Sequence, residues 1–259
     1  MGGGRRGGLR QSQCRTSRDS NAVRKSHRGC HYSSSGILAS APGDAGGNCV
    51  TIPNRGWHHS LTEKHTIWDS TLAEFRQRAA GAEQPTTGVS VAVISATLGA
   101  GLLQMVLELM AKRANFAGDV HQLSLLRRAA KDASEQLMLH ADADNAAYQA
   151  YSEARRNKAG TDEMARCQRA TIDVPLRAAR GCLATLNLCT QAAGVVTGPI
   201  TADLATAAIL LESAVRSILR CISENLRHRP DEQVAVECAA MQVAAARFLN
   251  ELALRPAHG

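Results

Sequence analysis

One carboxylate heads a segment that is otherwise apolar and helical in pattern. Residues 200–226 carry apolar side chains at spacings of four and three, which predicts a helix with one buried stripe: Leu204, Ala208, Leu211, Val215, Ile218, Ile222 and Leu226. Asp203 lies in the first turn, roughly 100° from that stripe on a helical wheel. A carboxylate there can stabilise a positive charge or exchange a proton. It can equally act as a helix cap, because the first turn offers unpaired N–H groups and the positive end of the helix dipole.

The sequence contains no pattern typical of a metal site, a catalytic Ser/His/Asp set or a phosphate-binding loop. The eight Cys form no C-x-x-C pair, and the nine His are scattered, so we predict no metal site. Neither a Ser/His/Asp set nor a phosphate-binding Gly loop can be assembled. Cys used in this way are typical of small buried residues in a reducing compartment, and we expect a cytoplasmic protein.

The net charge of +7 comes from one end of the chain. Residues 1–65 contain ten Lys or Arg against three Asp or Glu, whereas residues 66–259 contain twenty of each. The neutral part also has few aromatic residues, so we expect no nucleic-acid binding. Residues 1–65 are rich in Gly, Arg and Ser without hydrophobic periodicity, which predicts a disordered tail. Two alternative interpretations of this tail are a targeting segment and a misassigned translation start.

Residues 66–259 have helical periodicity throughout, which predicts one all-α domain, a helical bundle. The predicted elements are a short helix over 70–79 with Leu72 and Phe75 facing inward, a break over 81–88, and helices over 89–110, 119–157, 200–226 and after Pro230. Another helix should start near Thr161, with Thr161 as its cap. We expect Pro175 to kink or restart that helix, because Pro removes a helical hydrogen bond.

One stretch, residues 88–107, has no charged side chain and is long enough to span a membrane. It contains Ser90, Ser95, Thr97, Gln104 and several small residues, and it lacks flanking aromatic belts. Small residues let helix backbones approach closely. We therefore predict a central helix that is buried on all sides, in part against a second copy of the chain, and no membrane association.

Five stretches in a fixed order resemble the formiminotetrahydrofolate cyclodeaminase and methenyltetrahydrofolate cyclohydrolase family. They are TLAEF at 71–75, PTTGVSVA at 85–92, DNAAY at 144–148, DVPL at 173–176 and TADLATAA at 201–208. The resemblance covers about residues 66–252. It implies an all-helical homodimer that acts on a tetrahydrofolate derivative as substrate, without a further cofactor. The reaction would be hydrolysis of methenyltetrahydrofolate or cyclisation of formiminotetrahydrofolate with release of ammonia.

The resemblance also implies roles for individual residues. Both reactions need a group that exchanges a proton beside a positive charge, and a carboxylate suits this. Asp203 is the first candidate and Asp144 the second, although Asp144 could equally lie on a solvated helix face. The predicted substrate-binding residues are Gly88 and Ser90 against the ligand, Lys112 and Arg113 for the glutamate carboxylates, and Asn225. Asn225 lies roughly 33 Å along the same helix from Asp203, so it should belong to another site or to the partner subunit.

The chain departs from the family pattern at several of these positions. Thr87 and Val89 replace the outer glycines of the family's Gly-Gly-Gly-Ser turn, and Ala202 replaces a Ser. Side chains in such a turn can block close approach of the backbone to a ligand. The alternative hypothesis is therefore a catalytically degenerate helical homologue that binds folate or a protein partner.

Overall fold

The computed structural model describes residues 66–82 and 86–253, so the predicted tail at 1–65 lies outside the described residues. All regular secondary structure in the described part is helical, which confirms the predicted fold class. A short 3₁₀ helix, Ile67–Asp69, is followed by six α-helices: α1 Leu72–Ala80, α2 Gly88–Ala111, α3 Val120–Arg156, α4 Thr161–Ala192, α5 Thr201–His228 and α6 Glu232–Ala253.

Side-chain caps account for the starts of four of the six α-helices, α1, α2, α3 and α6. The side chain of Asp119 accepts hydrogen bonds from the N–H groups of His121 and Gln122, so α3 starts where the sequence predicts. Thr71 and Glu74 form a reciprocal capping box at the start of α1. Along α5, the predicted stripe from Leu204 to Ile222 is buried, as expected for a helix that turns one apolar face to the core.

Two local predictions are wrong, and so is one alternative of a third. Leu72 is exposed to 75% because it occupies the first position of α1, a helix with no fully buried residue, whereas Phe75 does pack against the core. Gly160, not Thr161, is the N-cap residue of α4. At Pro175, α4 continues without a restart, so that alternative is wrong and the kink stays a prediction; a contact from α5 replaces the hydrogen bond that Pro175 removes.

The central helix is α2, which packs between α3 and α5 and runs antiparallel to both. Gly88 lies beside Cys221 near the end of α5, and Gly99 approaches Ala207 near its start. A Cβ atom at Gly99 would stand 3.0 Å from the Ala207 carbonyl oxygen, so the missing side chain permits this close packing.

The predicted burial of α2 holds for three of its sides. Thirteen of its residues are buried, although α2 is also the one helix among the described residues whose length and composition would allow it to cross a membrane. A fourth side stays exposed in the single chain; its large apolar residues are Val91, Leu98, Met105 and Leu109. Helices α3 and α5 do not surround α2 in the single chain, so burial of this fourth side against a second copy stays a prediction.

Candidate active site

The most buried carboxylate in the described part of the chain is Asp144, which lies in the middle of α3 and is only 4% exposed. Its Oδ2 atom accepts hydrogen bonds from the hydroxyl groups of Thr87 and Ser90, the latter at 2.9 Å. The two hydroxyl oxygens lie 3.0 Å apart. Three polar side chains thus meet where the start of α2 crosses α3.

The start of α2 positions both hydroxyl groups. Thr87 is the N-cap residue, and its Oγ1 atom accepts a hydrogen bond from the Ser90 N–H at 2.9 Å. Ser90 lies three residues later on the same turn and is completely buried. The backbone at the start of α2 therefore fixes the positions of both hydroxyl groups beside Asp144.

Burial raises the pKa of Asp144 above its ordinary value, because removal from water disfavours the charged form. The hydrogen bonds from Thr87 and Ser90 lower the pKa, but by less than burial raises it. A carboxyl group with a raised pKa exchanges protons more readily near neutral pH, which is the property that general acid–base catalysis requires.

Helix α5 contributes Cys221 to the same corner. A Cβ atom at Gly88 would stand 3.5 Å from the Cys221 sulfur, so the two helices are in ordinary contact there. Burial, and then the negative charge of Asp144, raise the pKa of the Cys221 thiol. Cys221 therefore stays protonated and serves as packing beside the carboxylate rather than as a nucleophile.

A cavity of about 140 Å³ lies between α3, α4 and the end of α5. It is lined by Tyr148, Tyr151, Gln168, Thr171, Ile172, Asn225, His228 and Arg229. Tyr148 follows Asp144 by one helical turn on α3, and Asn225 follows Cys221 by one turn on α5. The cavity therefore lies about one helical turn from the Asp144 corner along both helices, and Asp144 itself is not among its lining residues.

The amide group of Asn225 holds part of the cavity wall together. Pro175 has no N–H, so the carbonyl of Thr171, four residues earlier, receives no bond within α4. The Asn225 Nδ2 atom donates to that carbonyl oxygen at 2.8 Å. This contact ties α5 to α4 and explains why α4 passes through a proline without ending.

The remaining predicted residues lie at the opposite end of the bundle. Arg113 follows α2, donates to Thr197 Oγ1 at 3.1 Å and covers Gly198, whose φ of 77° favours glycine. Asp203 occupies the first turn of α5, half-buried, without a hydrogen bond to the described residues. Lys112 is exposed. The 24 residues of α2 put roughly 36 Å between this end and Gly88.

The structure thus divides the seven predicted site residues into two groups. Gly88, Ser90, Asp144 and Asn225 lie together around the corner and the cavity, whereas Lys112, Arg113 and Asp203 lie at the other end of α2. Sequence reasoning treated Thr87 only as a lost glycine. A Thr three residues before Ser90 is, however, an N-cap signal that could have placed both hydroxyl groups on one turn. Among the described residues, no three His, Cys, Asp or Glu side chains cluster as metal ligands.

Comparison with known proteins gives the family of the chain and a solved structure of similar fold. Residues 71–243 match the sequence profile described as formiminotransferase-cyclodeaminase. The chain belongs to this family. A crystal structure of formiminotetrahydrofolate cyclodeaminase from Thermotoga maritima is similar in fold, with a TM-score of 0.65 and 16% sequence identity over 72% of this chain and 95% of that one. No curated protein sequence matches the chain significantly. Membership of the cyclodeaminase family and the shared helical fold confirm the family resemblance of the sequence.

Proposed function

We propose that the protein is a one-carbon folate enzyme in which Asp144 exchanges the proton. The observation that carries this proposal is the buried Asp144 carboxyl group, held by two hydroxyl groups beside a cavity in a member of the formiminotransferase-cyclodeaminase family. Asp144 has a raised pKa and an orientation fixed by two hydroxyl groups, and a cavity lies about one helical turn away. We therefore favour it over Asp203, the first candidate from the sequence.

The same carboxyl group suits either reaction of the family. In hydrolysis, a water oxygen bonds to the bridging carbon of the methenyl cation and the Asp144 carboxylate accepts a proton from that water. One C–N bond then breaks, and its nitrogen receives the proton. In cyclodeamination, the secondary amine that links the pterin to the aminobenzoyl group attacks the carbon of the protonated formimino group. The Asp144 carboxylate accepts the proton of that amine and passes it to the formimino nitrogen, whose C–N bond then breaks so that it leaves as ammonia. In both cases the negative form of Asp144 stabilises the cationic bridge.

Two hydroxyl groups would keep Asp144 in place during the reaction. Thr87 and Ser90 both donate to Oδ2, which leaves Oδ1 without a hydrogen bond from the described residues. We propose that Oδ1 is the atom that exchanges the proton. In this role Thr87 compensates for the glycine that it replaces, because its hydroxyl group helps to fix the carboxylate.

The decisive experiment is turnover of methenyltetrahydrofolate and formiminotetrahydrofolate side by side, followed by near-ultraviolet absorbance. We expect at least one reaction to exceed the rate in buffer and to fall at least 100-fold in Asp144→Asn, as is typical when a general acid or base is removed. Asp132→Asn is the matched control, because Asp132 lies exposed on the same helix. Full activity in Asp144→Asn, or loss of activity only in Asp203→Asn, would contradict the assignment.

The second candidate function is folate binding without catalysis. It is favoured by Val89, whose buried side chain fills a position where the family turn has glycine. Calorimetric titration with 5-formyltetrahydrofolate, a stable folate, separates the two functions. Binding without turnover of either substrate would support the second function.

We also propose a homodimer that buries the exposed side of α2. Val91, Leu98 and Met105 recur every seven residues, which is the spacing of a helix–helix seam. Leu98→Glu should shift the protein from dimer to monomer in light scattering, whereas Leu139→Glu, at an exposed position of α3, should not. A monomeric wild type would contradict the proposal.

The five described Cys are all free, which supports a reducing, cytoplasmic location.

A further inference from the structure

The outer side of α6 carries exposed apolar side chains. Val236 is exposed to 65% and Val243 to 71%, and the exposed Ala239 and Ala240 lie between them. Their spacing puts these four residues on one side of the helix, and we call them the outer stripe. The side of α6 that faces the core is formed by other residues, which are buried: Val234, Met241 and Ala245. Helix α6 therefore has two apolar sides, and the chain itself covers one of them.

The outer stripe is free of charge along its length and has opposite charges at its two ends. Glu232, which is exposed, precedes Val236 by four residues, and the exposed Arg247 follows Val243 by four residues. Both charged residues therefore continue the line of the stripe. One other charged residue lies between them, Glu237, and it points to α4, where it pairs with Arg180.

The pattern of the stripe is the same in both directions along the helix. Its midpoint lies between Ala239 and Ala240, the two valines lie at equal distances on either side, and so do Glu232 and Arg247. Two antiparallel copies of α6, related by a two-fold axis through this midpoint, therefore put valine opposite valine and alanine opposite alanine. Glu232 of each copy then faces Arg247 of the other. A parallel pair would instead put like charges opposite each other.

The surface of α6 also has the shape that this packing requires. It contains a shallow groove with mostly alanine walls, lined by Ala239, Ala240, Val243, Ala244 and Arg247. Residues 240, 243, 244 and 247 have the spacing of the four residues that form a hole in knobs-into-holes packing. In the antiparallel register, Val236 of the other copy lies opposite this hole. Because alanine side chains are short, the two helix axes can approach closely.

Arg247 can form the new ion pair in addition to the contacts that it already has. Its guanidinium carbon lies 5.0 Å from the centre of the Phe248 ring, and its Nε atom lies 3.5 Å from Glu251 Oε1. A guanidinium group has several N–H donors, so these contacts leave donors for a second carboxylate. The Glu232 carboxylate of the other copy would supply it.

We propose that the outer stripe of α6 is a self-association surface, at which two copies of the chain pack antiparallel with Glu232 of each paired to Arg247 of the other. Helix α6 packs against α4 and α5, so this surface lies on a different side of the bundle from the exposed side of α2. The two surfaces can therefore act together, with α2 joining two copies and α6 joining such pairs.

The size of the surface sets the expected strength of the contact. From Glu232 to Arg247 the helix rises roughly 22 Å and is about 10 Å wide. Such a strip is much smaller than the roughly 800 Å² per partner of a standard interface. We therefore expect an association step that depends on protein concentration.

Sedimentation velocity of the full chain, from low to high micromolar concentration, tests the proposal. We expect the mass at low concentration to double at high concentration. Val243→Glu should weaken this step about 100-fold, because each contact loses two buried valines. Val236→Glu should have a similar effect, and both variants should keep the wild-type circular dichroism because both positions are exposed. Leu125→Glu, at an exposed position of α3, is the matched control and should leave the step unchanged.

Charge reversal tests the antiparallel register. Arg247→Glu puts two carboxylates opposite each other at both ends of the contact and should weaken association about tenfold. Glu232→Arg should weaken it similarly, because two guanidinium groups then face each other. The double variant restores opposite charges and should recover most of the wild-type affinity. A parallel pair has like charges opposite each other in the wild type and in the double variant, so it gives no such recovery.

Three results would overturn the proposal: a wild-type mass that does not change with concentration, unchanged association in both valine variants, or a double variant no tighter than the single ones. Leu98→Glu separates this inference from the proposed α2 dimer. If Leu98→Glu removes only the association that persists at low concentration, both contacts are supported. If Leu98→Glu has no effect while Val243→Glu does, the α6 contact stands and the α2 dimer is wrong.

Discussion

Replacing Asn225 by Ala should destabilise the fold, because the Asn225 amide satisfies a carbonyl that α4 cannot pair by itself. The Thr171 carbonyl receives its hydrogen bond from Asn225 Nδ2 at 2.8 Å, in place of the N–H that Pro175 lacks. An acceptor left unpaired away from water costs about 1–3 kcal/mol. We therefore expect Asn225→Ala to lower the free energy of unfolding by about 2 kcal/mol, and Tm by roughly 4–8 °C for a domain of this size.

Pro175→Ala tests this explanation directly, because alanine restores an N–H group within reach of the Thr171 carbonyl. Pro175→Ala by itself changes the free energy of unfolding in two opposite ways. Helix propensity raises it by up to about 3 kcal/mol, whereas lost packing lowers it, since Pro175 is buried. The informative quantity is the coupling between the two substitutions. When Pro175→Ala already supplies the backbone donor, Asn225→Ala should cost less than about 0.5 kcal/mol, which gives a coupling energy of about 1.5 kcal/mol.

Urea denaturation of the four proteins in this cycle, followed by circular dichroism, measures the coupling. Asn250→Ala is the matched control, because Asn250 lies exposed on α6. An equal cost of Asn225→Ala with and without Pro175 would refute the explanation. So would a cost of Asn225→Ala no larger than that of the control.

Two further predictions concern the α2 packing and the buried carboxyl group. Gly99→Ala should lower the free energy of unfolding by about 1–2 kcal/mol in urea denaturation, because the new Cβ would meet the Ala207 carbonyl oxygen at 3.0 Å. Gly101→Ala is the control: its Cβ would have no atom within 4 Å, so the substitution should be neutral or stabilising. Equal effects of the two substitutions would contradict the close packing at Gly99. Burial raises the pKa of Asp144 above its ordinary value of 3.8, so the folded state binds the proton more tightly than the unfolded state does. The resulting stability is present below pH 3.8 and lost as pH rises through the folded pKa. Asp144→Asn should therefore gain stability relative to wild type as pH rises above 3.8, and a difference that does not change with pH would contradict the raised pKa.

The sequence was sufficient for the fold because its local signals agree with one another. The apolar stripe of α5 and the cap at Asp119 follow helical periodicity and backbone capping, which act within a few residues. At Pro175 a distant contact changed the result, whereas the errors at Leu72 and Thr161 concern the starts of their own helices. Pro175 should have disturbed α4, but Asn225, 50 positions further along the chain, supplies the missing hydrogen bond.

The candidate site was visible in the sequence only as separate residues. Gly88, Ser90, Asp144 and Asn225 were all proposed, and so were Lys112, Arg113 and Asp203 at the far end of the bundle. Helical rise separates Asn225 from Asp203, but no spacing rule brings residues of different helices together, because their proximity depends on how α2 runs antiparallel to α3 and α5.

The amino-acid sequence by itself determined that the chain forms apolar-striped helices around a charge-free central one, and which family it belongs to. Only the tertiary structure decided that Asp144 is the carboxylate to consider first. Asp142 and Asp144 look alike along the chain, but Asp142 accepts the Ile67 N–H, whereas Asp144 is enclosed by the hydroxyl groups at the start of α2. Burial, and hence the pKa of a carboxyl group, depends on the atoms that other helices bring around it, and helical periodicity carries no information about those atoms.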